Sequence, residues 1–309
     1  MITDKQRSER INYIGSTDAP GILGMSRYSS PLKVWCEKTG ILKPEDIGNK
    51  LHVRIGTKME QVVSELYEEE TGKKLRKVNE TVYHKKYPFI ACNLDRYIVG
   101  EDTILEIKTA SEYKKLEWNE DDIPQEYIIQ VYHQMAVTGK KAEICCLIGN
   151  SSLKIKKIHY DEKSLEMLID KEVEFWNKYV VPKIQPEIII ENDSEILKNI
   201  YPIASNKIVL SLSPEINPQI KRVEECTKTI KMLESEIEVI KNNVKNMLKD
   251  SESGVTDEYC ISWKNSKWAG IDQKKLKTIF PDIYEQVKSE KEIRKFSFKK
   301  LGDSNDQHL

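Results

Sequence analysis

Residues 89–110 read FIACNLDRYIVGEDTILEIKTA. The runs 89–97 and 103–108 have the composition and alternation of β-strands, and the turn at 99–102 predicts that they form a hairpin. Residues two apart on a strand point to the same face, so Glu106 and Lys108 project together while Ile107 faces the core. The hairpin brings Asp95 beside them. The segment therefore predicts two carboxylates and one ammonium group at a single place.

This grouping is suited to metal-dependent hydrolysis. Two carboxylates supply the oxygen ligands that a hard divalent cation prefers. A lysine next to the cation can orient or help to deprotonate an attacking water. Aspartate followed at some distance by Glu-x-Lys is the arrangement of the PD-(D/E)xK nuclease superfamily, but a lone Glu-x-Lys on an exposed hairpin is more often a solvated ion pair. Other parts of the chain must decide between these interpretations.

The elements around the hairpin predict an α/β structure. Apolar periodicity and end signals favour helices at 17–24, 31–39, 51–70, 124–137 and 162–180, with Gly72 closing the third. Further strands are predicted at 80–83, 143–148 and 153–159. This order indicates a central mixed β-sheet flanked by helices.

A change in character marks the end of that domain. Two prolines and the polar run 191–194 indicate a linker at 191–210, which separates a domain at 1–190 from a C-terminal extension at 211–309. Within the extension, apolar residues spaced by three and four predict a long coiled-coil-like helix at 211–250. A small α/β tail follows at 251–309, with strands at 259–264 and 293–298 and a helix at 275–280.

Composition restricts the classes of protein. The chain has 309 residues, 39% of them hydrophobic, and a net charge of -1, which is a soluble globular profile without a global DNA-binding signature. Any DNA contact must therefore be local. The six cysteines form no Cys-x-x-Cys pair, which argues against a zinc site or an iron–sulfur cluster. No segment has the length and apolarity of a membrane span, and the polar N-terminus predicts a cytoplasmic protein.

Six short motifs in a fixed order resemble the YqaJ viral recombinase family, whose members are phage-type exonucleases similar to lambda exonuclease. The resemblance covers roughly residues 8–180, and the order of the motifs is far more specific than any one of them. The motifs are Gly15-Ser16-Thr17-Asp18 with Ile22-Leu23-Gly24, Gly56-x3-Glu60, Ala91-Cys92-Asn93-Leu94-Asp95, Glu106-Ile107-Lys108, Tyr127-x2-Gln130-Val131 and Val137-Thr138-Gly139.

The resemblance implies a restriction-endonuclease-like core and a role for each matched residue. Asp95, Glu106 and the backbone carbonyl of Ile107 would ligate the catalytic metal, and Glu60 would complete a second or shared site. The metal would be Mg²⁺, with Mn²⁺ as an alternative, at two ions per site. Lys108 would position the nucleophilic water, and Gln130, helped by Tyr127, would fix the lysine or the scissile phosphate.

The resemblance also implies a pocket for the 5′-phosphate of a DNA end. Arg10 and Ser16 or Thr17 align with that pocket. Two residues depart from the family pattern near the catalytic aspartate. Leu94 stands where the family has proline, which removes no ligand, and Asn93 stands where lambda exonuclease has serine. Asn93 can still donate a hydrogen bond to phosphate.

The function implied is that of an exonuclease that degrades one strand of linear duplex DNA from the 5′ end. It would leave a 3′ overhang for a single-strand annealing protein in a bacterial or phage-infected cell, and family members form trimers, so a homo-oligomer is expected. Two alternatives remain open. A restriction- or repair-type endonuclease would share the metal cluster, and a DNA-binding or scaffold protein would act through the C-terminal helix with the cluster inert.

Overall fold

The computed structural model describes residues 9–44, 47–118, 122–189, 193–204, 209–267, 269–290 and 292–299. The chain divides into two compact units, Met1–Pro202 and Ile203–Leu309, and each is described by itself. In the described residues no helix is both long and apolar enough to cross a membrane.

The described residues of the first unit form six α-helices, of which five correspond to the predicted helices and one is an addition. Ser30 caps the second helix by accepting from the backbone N–H of Lys33, and Gly72, at φ 69°, ends the third, as the sequence predicted. The long helix 51–70 and the helix 124–137 are confirmed. The helices are α1 (Ala19–Ile22), α2 (Pro31–Lys38), α3 (Leu51–Thr71), α4 (Gln125–Thr138), α5 (Glu162–Phe175) and α6 (Asp193–Ile200).

A five-stranded mixed sheet forms the centre of this unit, in the order β1 (Leu75–Lys77), β4 (Arg96–Ile98), β5 (Thr103–Ala110), β6 (Lys141–Ile148) and β7 (Ser152–Ile158). The β5–β6 pair is parallel and the other pairs are antiparallel. A separate two-stranded ribbon joins β2 (Thr81–Tyr83) to β3 (Ala91–Asn93). The predicted mixed sheet is confirmed.

Helices cover both faces of the sheet. Successive side chains of β5 point alternately to one face and to the other. On one face Ile107 packs with Val63 and Tyr67 of α3. On the other face Ile104 packs with Val131 and Met135 of α4. Glu106 and Lys108 share the second face. The sheet therefore presents the acidic and basic side chains of β5 to α4, while its opposite face is closed by α3.

Three details of this unit differ from the sequence prediction. The predicted strand 89–97 is two strands, because Leu94 turns into the core and the chain leaves the ladder between Asn93 and Arg96. Strand β1 was not predicted. Part of the predicted linker 191–210 is helix α6, which is held to the unit by a hydrogen bond from Ser30 to Asp193 and by apolar packing of Ile196.

The second unit begins with the long helix α7 (Asn217–Leu248), which confirms the predicted helix within 211–250. A short hairpin of β8 (Ser253–Val255) and β9 (Cys260–Ser262) follows, then α8 (Gln273–Ile279) and α9 (Pro281–Val287). The predicted strand 293–298 is wrong, since these residues adopt no strand in the structure. An alternating pattern of apolar residues does not produce a strand unless a neighbouring strand pairs with its backbone N–H and C=O groups.

Candidate active site

Asp95 lies where the pairing of β4 with β5 ends, at a gap along the edge of β5 that we call the notch. Strand β4 pairs with β5 only as far as Arg96 opposite Leu105, so the next positions of β5 lack a backbone partner on that side. The carboxylate of Asp95 takes the partner's place, with its Oδ2 accepting from the N–H of Ile107 at 2.8 Å. The N–H and C=O of one strand residue point to the same edge of the strand. The carbonyl of Ile107 therefore also faces this notch.

Glu106 and Lys108 lie together, as the strand period predicted. Their side chains form an ion pair in which Lys108 Nζ and Glu106 Oε1 are 2.5 Å apart. Gln130 binds both groups, because its Oε1 accepts from Lys108 Nζ at 3.0 Å and its Nε2 donates to Glu106 Oε1 at 2.6 Å. The ring of Tyr127 lies 5.0 Å from the same ammonium. The hairpin and α4 thus hold one connected cluster.

Gln134 belongs to this cluster, although the sequence assigned it no role. Its Nε2 donates to Glu106 Oε2 at 2.7 Å, and the residue is buried one helical turn after Gln130. The signal for it was present, since positions four apart on a helix share a face. Both carboxylate oxygens of Glu106 are therefore held by α4.

The electrostatics of the cluster favour an additional cation. Burial raises the pKa of Asp95, and the nearby negative charge of Glu106 raises it further. Burial opposes the charge on Lys108, but Glu106 and Asp95 raise the pKa of that ammonium. Two carboxylates close together in a partly dry site repel one another, and one ammonium relieves only part of this repulsion.

Glu60 lies next to the cluster but is bound to another residue. Its Oε1 is 2.5 Å from Nη1 of Arg96, a buried arginine that also donates to the backbone oxygen of Asp95 at 2.8 Å. Nη2 of Arg96 donates to Gln61 at 3.3 Å. Sequence reasoning missed Arg96, and only its position directly after Asp95 pointed to it. Arg96 couples Glu60 to the backbone of the Asp95 turn.

The donor set fits one hard cation. Asp95, Glu106 and the Ile107 carbonyl offer oxygen atoms of the type that Mg²⁺ prefers as ligands. Within the described ranges, no three His, Cys, Asp or Glu side chains are placed to hold a metal ion together. Oε1 of Glu60 is paired with Arg96. An ion at Glu60 would therefore compete with this arginine for the carboxylate.

The residues predicted to bind a 5′-phosphate lie on and beside one N-terminal turn. Arg10 Nη2 donates to Thr17 Oγ1 at 2.6 Å, and Ser16 is buried in the same turn. The turn is fixed to β3, since the N–H of Ala91 donates to the oxygen of Ile14 at 3.0 Å. Asn93 lies two residues further along β3 and accepts from Thr81 Oγ1. The phosphate role of these four residues remains a prediction.

Two buried charges support this turn: Asp18, which belongs to the first motif, and Lys38, which the sequence did not single out. The carboxylate of Asp18 accepts from the N–H of Gly15 at 2.8 Å and pairs with Nζ of Lys38 at 2.6 Å. Lys38 also donates to the backbone oxygen of Arg10 at 2.7 Å. Burial opposes ionisation of Asp18, yet Lys38 and Arg10 keep its pKa below the ordinary value.

The mixed sheet with its flanking helices is the restriction-endonuclease-like fold. The structure is similar to that of an alkaline exonuclease from Laribacter hongkongensis, with a TM-score of 0.50 and 18% sequence identity over 59% of this chain and 94% of that one. A structure of that exonuclease in complex with dAMP gives the same TM-score and identity over 63% of this chain and 99% of that one. At this identity the likeness establishes the fold alone.

The chain belongs to the YqaJ-like viral recombinase family, as its motifs indicated. The model of the YqaJ-like viral recombinase domain matches residues 5–141. The protein YqaJ of Bacillus subtilis strain 168 is 35% identical over 306 residues, which is 98% of this chain and 96% of YqaJ. Family and fold together support a phage-type nuclease.

Proposed function

We propose that this protein is a metal-dependent exonuclease that hydrolyses phosphodiester bonds of linear double-stranded DNA from the 5′ end. The observation that supports it most directly is the cluster of Asp95, Glu106 and Lys108, fastened to α4 by Gln130. The proposed cofactor is Mg²⁺, with Mn²⁺ as an alternative. The product would be a 3′ overhang, which a single-strand annealing protein would use in recombination.

In this proposal each residue of the cluster has a separate task. A bound divalent cation would supply charge for the phosphate and lower the pKa of a coordinated water. Asp95, Glu106 and the Ile107 carbonyl would hold that cation at the notch. Lys108 uses two of its three N–H groups on Glu106 and Gln130, so the third can be directed at the attacking water or the phosphate. In-line attack would leave a 5′-phosphate on the product.

The proposed role of Glu60 is to hold a second ion. Arg96 bears on this role because it is already paired with the Glu60 carboxylate. The Arg96 guanidinium already provides positive charge to the Glu60 carboxylate and to the backbone oxygen of Asp95. Glu60 would therefore hold an ion in competition with Arg96. The stoichiometry follows from Mn²⁺ titration with electron paramagnetic resonance detection. Two bound ions per chain support the role of Glu60, and one bound ion contradicts it.

The substrate form separates the proposal from an endonuclease. Linear duplex DNA, labelled at either the 5′ or the 3′ end of one strand, is incubated with the protein and Mg²⁺ beside a covalently closed circular duplex. The expected result is early release of the 5′ label and an intact circle. Cleavage of the circle would favour the endonuclease alternative. Binding of both DNAs without cleavage would favour the scaffold alternative.

Substitutions in the cluster test its chemical role. Glu106→Gln and Lys108→Met should each lower the cleavage rate about a hundred- to a thousandfold, since the first removes a carboxylate charge that would hold the cation and the second removes the ammonium beside the reacting phosphate. The exposed pair Lys171 and Glu174, 2.9 Å apart on α5, supplies the controls Lys171→Met and Glu174→Gln. These two variants should digest DNA at the parent rate. Circular dichroism checks folding, and parental cleavage by folded Glu106→Gln contradicts the assignment.

A further inference from the structure

The ion pair beneath the N-terminal turn has an unequal charge balance. Asp18 carries one negative charge, and Lys38 and Arg10 each carry one positive charge. The carboxylate pairs closely with Lys38, at 2.6 Å, whereas Nη2 of Arg10 is 3.7 Å from it. One positive charge is therefore left over at the turn. The carboxyl of Glu37 also interacts with these three charges, and Lys33 adds a further positive charge beside it.

Lys38 decides which partner Arg10 takes. The lysine side chain is only 3% exposed, and it lies between the carboxylate of Asp18 and the backbone oxygen of Arg10. The Arg10 guanidinium donates to Thr17 Oγ1, at 2.6 Å, rather than closely to Asp18, and remains one-third exposed. A guanidinium in this position can bind a phosphate with two parallel N–H groups.

We propose that Lys38 is a positioning residue, which neutralises Asp18 so that the charge of Arg10 is kept for the terminal 5′-phosphate of a DNA strand. This inference rests on the proposed function, from which the 5′-phosphate pocket comes. Without Lys38, Asp18 would capture Arg10, and the pocket would lose its net positive charge. The neighbouring hydroxyl of Thr17 would then face the phosphate without the arginine.

The alternative role for Lys38 is structural, as a link between α2 and the N-terminal segment. That role predicts a lower melting temperature for a Lys38 variant, with no change in selectivity between DNA ends. Removal of both charges distinguishes the two roles. In Asp18→Asn with Lys38→Met, nothing competes for Arg10, and the asparagine oxygen can still accept from Gly15. Replacing both partners of a buried pair is also tolerated far better than replacing one.

The experiment measures binding rather than cleavage, so that it does not depend on turnover. Fluorescence anisotropy in EDTA gives the affinity for a short blunt duplex with either a 5′-phosphate or a 5′-hydroxyl. The parent should prefer the phosphate, and Arg10→Gln should lose this preference. In Lys38→Met the preference for the 5′-phosphate should fall about ten- to a hundredfold, which corresponds to the loss of one charge-assisted hydrogen bond. The double variant should regain it.

The control is Lys73→Met, which removes another lysine paired with a buried carboxylate, that of Glu143 at 2.7 Å. This variant should keep the parental preference. A folded Lys38→Met that retains the preference overturns the inference, as does a double variant that does not regain it. If Lys38→Met does not fold, Lys38→Gln decides, because its amide can still donate to the backbone oxygen of Arg10 while the charge that neutralises Asp18 is gone. Loss of the preference by Lys38→Gln supports the inference, and retention overturns it. A parent that prefers 5′-phosphate but cuts no DNA with Mg²⁺ removes the proposed activity and leaves the role of Lys38 intact.

Discussion

At the scale of single residues, Gln130 connects the two charges of the candidate site. It accepts from the ammonium of Lys108 and donates to the carboxylate of Glu106, and it is itself buried. No other side chain in the described structure is hydrogen-bonded to both. The orientation of Lys108 therefore depends on an uncharged residue of a different element.

Replacement of Gln130 by leucine should reduce kcat about ten- to a hundredfold and leave KM nearly unchanged. The reason is that misplacement of a group at the reacting atoms affects the transition state more than substrate binding. The matched control is Gln125→Leu at the start of the same helix, where the side chain is exposed. Steady-state kinetics on linear duplex DNA give both constants. A higher KM with unchanged kcat would instead place Gln130 in DNA binding.

The buried carboxylate of Asp18 makes stability depend on pH in the acid range. Its pKa is lowered in the folded state, so its contribution is fully present above the unfolded value of about 3.9 and is lost as the pH falls through the folded pKa. Asp18→Asn leaves Lys38 buried without its partner, and at pH 7 this should cost about 3 kcal/mol of unfolding free energy. The difference between parent and variant should begin to narrow as the pH falls below about 3.9 and should vanish below the lowered folded pKa.

Urea unfolding at a series of pH values from 7 to 3 measures this difference. The variant curve should change less with pH than the parent curve. A constant difference across the whole range would show that Asp18 stabilises the fold through shape and hydrogen bonding rather than through its charge.

At the scale of elements, helix α3 has one glycine inside it and another directly after its last residue, and the two have opposite requirements. Gly72 ends the helix at φ 69°, which an L-residue adopts only with strain. Gly56 lies inside the helix, where an added Cβ would make an ordinary contact of 3.5 Å with Thr109 Oγ1. The same substitution should therefore have opposite effects at the two positions.

Gly72→Ala should lower the unfolding free energy by about 1 kcal/mol, because it imposes the left-handed conformation on alanine. Gly56→Ala should raise it by up to about 1 kcal/mol, since alanine is the better helix former. Chemical denaturation of the two variants and the parent checks both signs. Destabilisation by Gly56→Ala would mean that Thr109 cannot accommodate the added methyl group.

The elements that the sequence predicted well are those with a long periodic signal. Helix α3 and strands β5 and β6 carry such a signal, and the side on which Glu106 and Lys108 project follows from the strand period alone. Strand β1 has three residues, too few to show a period. The break at Leu94 could not be predicted either, because it depends on the tertiary core that this leucine enters.

The partners of the charged residues were not predictable from local sequence. Arg96 binds Glu60, which is 36 positions away, and Lys38 binds Asp18, which is 20 positions away. His133 was assigned no role, and the structure buries it between Glu172, at 2.7 Å, and the backbone oxygen of Ala91. Such pairs form only when the fold brings distant elements together, so a sequence can indicate that a charge needs a partner without indicating which one.

At the scale of the whole molecule, the C-terminal helix α7 raises the question of assembly. Its apolar side chains Ile230, Leu233, Ile237 and Ile240 are all about half exposed. A continuous exposed apolar stripe of this kind marks a surface for protein contact. Glu234 and Lys241 interrupt a strict heptad pattern. The expectation of a homo-oligomer came from the family resemblance, and the stripe supplies a surface that another copy can cover.

Static light scattering tests whether this helix sets the assembly. The full chain should have a mass of about three times 35.9 kDa, the value for a trimer, and Ile237→Lys should lower it, because a buried lysine at the stripe would cost more than the contact gains. Lys228→Glu, on an exposed position of the same helix away from the stripe, is the control and should keep the parental mass. A parent protein whose scattering mass is that of a 35.9 kDa monomer contradicts the predicted oligomer. An Ile237→Lys variant that remains a trimer would instead indicate an interface on the first unit, with the apolar stripe of α7 not used in the trimer.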